Sequence, residues 1–142
     1  MNQLNRQMNL QPGHLTLEDL QALHCGGVQL QLASSAWPAI EASAAVVQRA
    51  AAGDAPVYGV NTGFGKLAST RIGADDLAAL QRNLIRSHSV GVGEPMAAPV
   101  VRLILALKAA SLARAHSGVR PVVIQKLLDV FNAGLVPHIP SQ

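Results

Sequence analysis

A mainly α-helical protein is what the composition and periodicity of this chain predict. Of its 142 residues 49% are hydrophobic, yet only 3% are aromatic and 13% charged. Alanine supplies much of the apolar count, and small side chains of high helix propensity suit closely packed helices better than a sandwich or barrel. Apolar residues also recur three and four apart, the spacing that places them on one face of a helix. The length fits one ordinary domain over residues 1–142, and the hydrophobic content excludes a disordered chain.

The elements follow in order. Leu10-Gln11-Pro12-Gly13 reads as a turn, and Thr16-Leu17-Glu18-Asp19 has the form of a capping box, whose hydroxyl and carboxylate satisfy orphan amides at a helix start. The helix it opens runs through about Leu23 and is ended by Cys25-Gly26-Gly27; Val28 to Leu32 then alternates apolar and polar residues as a brief strand does. A second helix starts at about Ser35 or Pro38 and continues to Ala52, where Gly53-Asp54 stops it. From Asp75 a third helix sets Leu77, Leu80, Leu84 and His88 three and four apart, so its apolar face ends in an imidazole and His88 is expected to point inward. Gly91, Gly93 and Pro95 break the chain before a fourth helix, roughly Pro99 to Ser117, and Gly118 with Pro121 separates a fifth ending near Gly134. The fourth is apolar on nearly all sides. Arg102, Lys108 and Arg114 interrupt it, whereas a membrane span needs about 20 residues with few charges. It is therefore expected to lie in a bundle larger than this chain can surround, which makes the chain part of something bigger.

Several function classes are disfavoured. The net charge is +3, but basic residues are scattered singly from Arg6 to Lys126, without the basic stripe and stacking aromatics that nucleic acid favours. Met1 to Gln11 is polar and lacks the apolar core of a secretory signal. Cys25 is the single cysteine and has no internal disulfide partner, which fits a reducing cytoplasm. The histidines at 14, 24, 88, 116 and 138 include no pair three to five residues apart, so no metal site is expected.

The segment Val57-Tyr58-Gly59-Val60-Asn61-Thr62-Gly63-Phe64-Gly65 is the most informative in the chain. Three glycines so close together indicate positive φ angles or backbone pressed against something. It is not a phosphate loop, because Val60 stands where the first glycine belongs and Leu67 where a Ser or Thr is required; nor do its glycines have dinucleotide-binding spacing. By pattern, Tyr58 is either a half-buried tyrosine that merely hydrogen-bonds or a phenol available for chemistry. His88 is either a satisfied core histidine, suited to the helix C-terminal dipole, or an inward polar contact for a ligand. Ser87 and His88 are adjacent, but no nucleophile elbow accompanies them.

The 57–65 segment, the run from Leu80-Gln81-Arg82-Asn83 through Ser87-His88-Ser89 to Gly93, and Val136-Pro137-His138-Ile139-Pro140 strongly resemble the N-terminal part of the histidine ammonia-lyases. The resemblance spans most of the chain and is weakest before about Gln11. The first motif is shared by the aromatic amino-acid ammonia-lyases and aminomutases; the Ser-His pair resembles the histidine branch, since tyrosine and phenylalanine enzymes commonly carry His-Leu or Phe-Leu there. The resemblance implies the N-terminal part of a large helical-bundle lyase subunit, in a cytoplasmic homotetramer whose sites combine several subunits, with no nucleic-acid or membrane partner. It implies non-oxidative elimination of ammonia from L-histidine to give trans-urocanate, the first step of histidine degradation.

In that reading Tyr58 is the catalytic base, His88 pairs with the substrate imidazole, and Gly59, Asn61, Thr62, Gly63, Phe64 and Gly65 form the active-site loop. A phenol ordinarily titrates at about pH 10, so a base role calls for amide donors or cations that stabilise phenolate. The family's electrophile, 4-methylideneimidazole-5-one (MIO), forms autocatalytically from an internal Ala-Ser-Gly. None occurs here, and the resemblance suggests that it would follow Ser141-Gln142. The chain is accordingly expected to be a fragment, inactive alone. Alternatives are a tyrosine or phenylalanine ammonia-lyase, an aminomutase of the same family, or a non-catalytic helical module that retains the motifs.

Overall fold

The structure, a computed structural model, describes residues 6–142. Two strands, β1 (Arg6–Leu10) and β2 (Val28–Leu32), accompany five helices: α1 (Leu17–Cys25), α2 (Trp37–Ala52), α3 (Ala74–His88), α4 (Ala98–Leu112) and α5 (Pro121–Asn132). The chain forms two compact units. One contains the residues up to Ala44 and those from Val92 onward; the other is Ala45–Gly91.

In the first unit β1 and β2 pair in parallel, in register from Arg6 opposite Val28 to Leu10 opposite Leu32. A parallel pair cannot be closed by a tight hairpin. The crossover is made by the turn at Pro12-Gly13, with Gly13 at φ +84°, and by α1. The capping box of α1 forms as its residues predict: Asp19 N–H donates to Thr16 Oγ1 at 3.2 Å and Thr16 N–H to Asp19 Oδ2 at 3.0 Å. The helix runs to Cys25, slightly past the expected Leu23, and Gly26 ends it at φ +87°. β1 was not foreseen, because its flanking sequence is polar and only Met8 and Leu10 turn inward.

Those two residues join Leu30 and Leu32 of β2 in a core with Leu23, Ile40, Leu105, Ile124, Leu128 and Phe131. Asn132, at the end of α5, ties β2 to that helix: Leu30 N–H donates to its Oδ1 at 2.7 Å and its Nδ2 donates to Leu30 O at 2.8 Å. The side-chain amide thus stands in for a neighbouring strand. α4 buries one broad stripe, Val101, Leu105, Ala106, Ala109 and Ala110, whose small side chains allow close packing. Its opposite side, with Leu107 and Lys108, is exposed, so among the described residues the helix is covered on one side only. It also stops at Leu112, not near Ser117, because the backbone turns at Ala115, φ +62°. Among the described residues no helix is long and apolar enough to cross a membrane.

The second unit holds the C-terminal part of α2, the glycine-rich loop and α3. Leu77, Leu80 and Leu84 of α3 are half-buried along one stripe, and none of its residues is fully buried.

Candidate functional site

The loop is organised from behind by Asn61, which is 1% exposed. Its Oδ1 accepts the Val57 N–H at 2.7 Å, and its Nδ2 donates to the carbonyls of Ala50, Ala55 and Gly53 at 3.1, 3.0 and 3.4 Å. Those carbonyls belong to the end of α2 and the residues after it, groups that a helix C-terminus leaves without intrahelical partners. One buried amide therefore joins the end of α2 to the start of the loop. Its backbone is held as well, Ile72 N–H donating to Asn61 O at 2.8 Å.

Between these anchors the chain makes a tight turn, with Val60 N–H on Val57 O at 3.0 Å and Gly59 at φ +75°. The turn directs Tyr58 outward. Its ring meets Phe64 edge-to-face, centroids 5.8 Å apart at 69°, an arrangement that aromatic quadrupoles favour. Tyr58 is nonetheless 66% exposed, and among the described residues its hydroxyl makes no hydrogen bond. This corrects the half-buried tyrosine of the pattern-based reading: Asn61 and Thr62 occupy the interior instead.

Thr62 is fully buried; its hydroxyl donates to Gly63 O at 3.0 Å and its backbone bridges antiparallel to Arg71. Gly63 is a close-approach glycine, since a Cβ there would lie 2.5 Å from Leu67 Cβ. Gly65 is a conformational one, at φ +59° with open space beside it, and leads into a 3-10 turn over Gly65–Leu67. The glycines thus divide between positive φ and crowding, and the crowding comes from the protein itself. Asn61, expected as part of the active-site loop, directs its side-chain amide to the carbonyls at and after the end of α2. Of the nearby cations, Arg71 is engaged by Gly53 O at 3.3 Å and Asp54 at 3.6 Å.

His88 ends α3 and is exposed, which corrects the expected inward orientation. The apolar stripe extends to Leu84; one turn later no other element of the unit covers the helix. The ring is not idle. Its Nδ1 lies 2.9 Å from Leu84 O and 3.0 Å from Ser87 Oγ, and Ser87 Oγ donates to Leu84 O at 3.0 Å. The structure brings Tyr58 and Phe64 together and places Asn61, Thr62 and Gly63 beside them in the loop, while the side-chain hydrogen bonds of His88 stay inside the last turn of α3. The role of Asn61 as a hub was missed; its signal was an asparagine four residues beyond Val57, just past a glycine turn. Among the described residues no group of three or more His, Cys, Asp or Glu side chains could hold a metal ion.

Comparison with known proteins places this arrangement. Residues 15–142 match the family described as aromatic amino acid lyase. Over 133 residues, 94% of this chain, the sequence is 54% identical to a histidine ammonia-lyase of Paracidovorax citrulli, covering 26% of that protein. The fold is similar to the crystal structure of histidine ammonia-lyase from Trypanosoma cruzi (TM-score 0.88, 42% identity, 96% of this chain and 27% of that one). It is also similar to tyrosine aminomutase from Streptomyces globisporus (TM-score 0.84, 30% identity, 93% of this chain and 25% of that one). The chain spans about a quarter of the length of the curated relatives it matches. With residues 15–142 matching the family, from just before α1 to the last residue, and with the fold similar to that of solved members, this chain belongs to the aromatic amino acid lyase family.

Proposed function

We propose that this chain serves the non-oxidative elimination of ammonia from L-histidine, giving trans-urocanate. The observation that carries the substrate is the Ser87-His88 pair at the end of α3, in a chain 54% identical to a histidine ammonia-lyase. The glycine loop alone does not choose among family members, and the likeness to a tyrosine aminomutase keeps a tyrosine or phenylalanine enzyme as the runner-up.

In this proposal Tyr58 removes the β-proton. That proton is weakly acidic, so the base must be aimed at the carbon and the amino group must be activated as well. An exposed phenol that makes no hydrogen bond among the described residues, on a turn held by Asn61, suits a base that faces a substrate held partly by other residues. His88 takes the substrate imidazole, and Gly59, Thr62, Gly63, Phe64 and Gly65 keep the loop in shape. MIO supplies the electrophile that activates the amino group; the sequence contains no Ala-Ser-Gly, so its formation is assigned to residues outside this chain.

The proposal extends to a cytoplasmic location and a homotetramer; the exposure of large apolar side chains such as Leu17, Ile85 and Val90 fits surfaces covered by the rest of the subunit or by other subunits. The experiment is to assay the complete subunit for ultraviolet absorbance of urocanate, with L-histidine, L-tyrosine and L-phenylalanine as substrates. Turnover of histidine alone is expected, and His88→Leu should cost about 1–3 kcal/mol of transition-state stabilisation. Preferential turnover of tyrosine or phenylalanine would reject the assignment.

A further inference from the structure

We infer that Ser87 and the Leu84 carbonyl hold His88 as its Nδ1–H tautomer, making Nε2 the acceptor that a substrate side chain must meet with a hydrogen-bond donor. The inference rests on the proposed role of His88 as a substrate contact and specifies the direction of that hydrogen bond.

Three distances carry it: Nδ1 to Leu84 O, 2.9 Å; Nδ1 to Ser87 Oγ, 3.0 Å; and Ser87 Oγ to Leu84 O, 3.0 Å. A carbonyl oxygen has no proton, so a close contact between it and Nδ1 is attractive only when Nδ1 bears the hydrogen. The serine hydroxyl both donates and accepts. With Nδ1 protonated, the hydroxyl donates to Leu84 O and accepts from the ring, and all three contacts are favourable together. With Nδ1 bare, the hydroxyl proton can serve the ring or the carbonyl but not both, and ring and carbonyl lone pairs face each other at 2.9 Å.

The neutral ring then carries its lone pair on Nε2, which makes no hydrogen bond among the described residues and belongs to an exposed side chain. An imidazole N–H satisfies that acceptor. A phenyl ring leaves it unpaired, the circumstance in which polar sites discriminate most strongly. Ser87 is thus a positioning residue that acts through His88 and does not itself touch the substrate.

Neutron diffraction from deuterium-exchanged crystals of the complete enzyme at neutral pH reads the tautomer directly. Deuterium on His88 Nδ1 and none on Nε2 is expected; deuterium on Nε2, alone or with Nδ1, overturns the inference. In parallel, Ser87→Ala should lower the ratio of kcat/KM for histidine over phenylalanine by about three- to tenfold, the range of one hydrogen bond, and Ser87→Thr should restore it. Because Ser87 is exposed, neither change should alter the melting temperature. An unchanged ratio in Ser87→Ala overturns the positioning role. His88→Leu, assayed alongside, separates the two claims. If its ratio stays at the wild-type value while the deuterium sits on Nδ1, the substrate-contact reading fails; if the ratio collapses while the deuterium sits on Nε2, the tautomer assignment alone fails.

Discussion

Replacement of Asn61 offers a sharp test of how the loop is built. Asn61→Ala removes an acceptor from the Val57 N–H and a donor from three carbonyls. The losses are unequal. Gly53 O still receives Arg71 Nε at 3.3 Å, and Ala50 O still receives Gly53 N–H at 3.3 Å. Ala55 is exposed, so water can replace the amide there. The costly orphan is the half-buried Val57 N–H, at about 1–3 kcal/mol, with roughly 1 kcal/mol more from the weakened carbonyl contacts. A total of about 2–4 kcal/mol of local stability corresponds to roughly 30- to 900-fold faster amide exchange across the turn. Asn61→Asp is isosteric and keeps the acceptor for Val57. It also aims a second carboxylate oxygen at carbonyl oxygens 3.0–3.4 Å away, so it should be at least as damaging as alanine. Hydrogen–deuterium exchange of the peptides covering residues 53–62, in wild type and both variants, makes the comparison. Near-normal protection in Asn61→Asp would show that the amide does not serve as a donor to the carbonyls, and the hub would be wrong.

Further predictions follow from the same geometry. Tyr58→Phe should leave stability within about 0.5 kcal/mol, because the exposed hydroxyl has no partner among the described residues and the edge-to-face contact survives, while turnover falls by about 10² or more; near-normal turnover removes Tyr58 as the base. Gly63→Ala should destabilise by about 1–3 kcal/mol, since its Cβ would lie 2.5 Å from Leu67 Cβ and the backbone must shift. Thermal melting checks this, and Leu67→Ala should not relieve the clash, because alanine keeps the opposing Cβ. On α5, the hydrogen bond from Gln125, then that from Lys126, holds the Asp129 carboxyl below its ordinary range. Its stabilising contribution is therefore complete above the ordinary carboxylate pKa and is lost as pH falls through the lowered value; Gln125→Ala should raise the Asp129 pKa in an NMR titration.

Local chemistry made much of the helical framework legible. Thr16 and Asp19 cap α1 using atoms three residues apart, Gly26 and Gly53 mark helix ends, and β2 shows its alternation directly, because these signals act within one or two turns of chain. The motif around Tyr58 was equally visible, and with it the family. Where each side chain points was decided by partners distant in sequence. β1 needed β2 and the core to give meaning to Met8 and Leu10. Periodicity placed His88 on the apolar stripe but held no information about whether another element would cover it. Asn61 could be read as part of a surface or as its support, and the carbonyls at the end of α2 made it the support. A sequence states which groups need satisfying; burial and hydrogen-bond geometry, set by residues brought near only by folding, determine which group satisfies them.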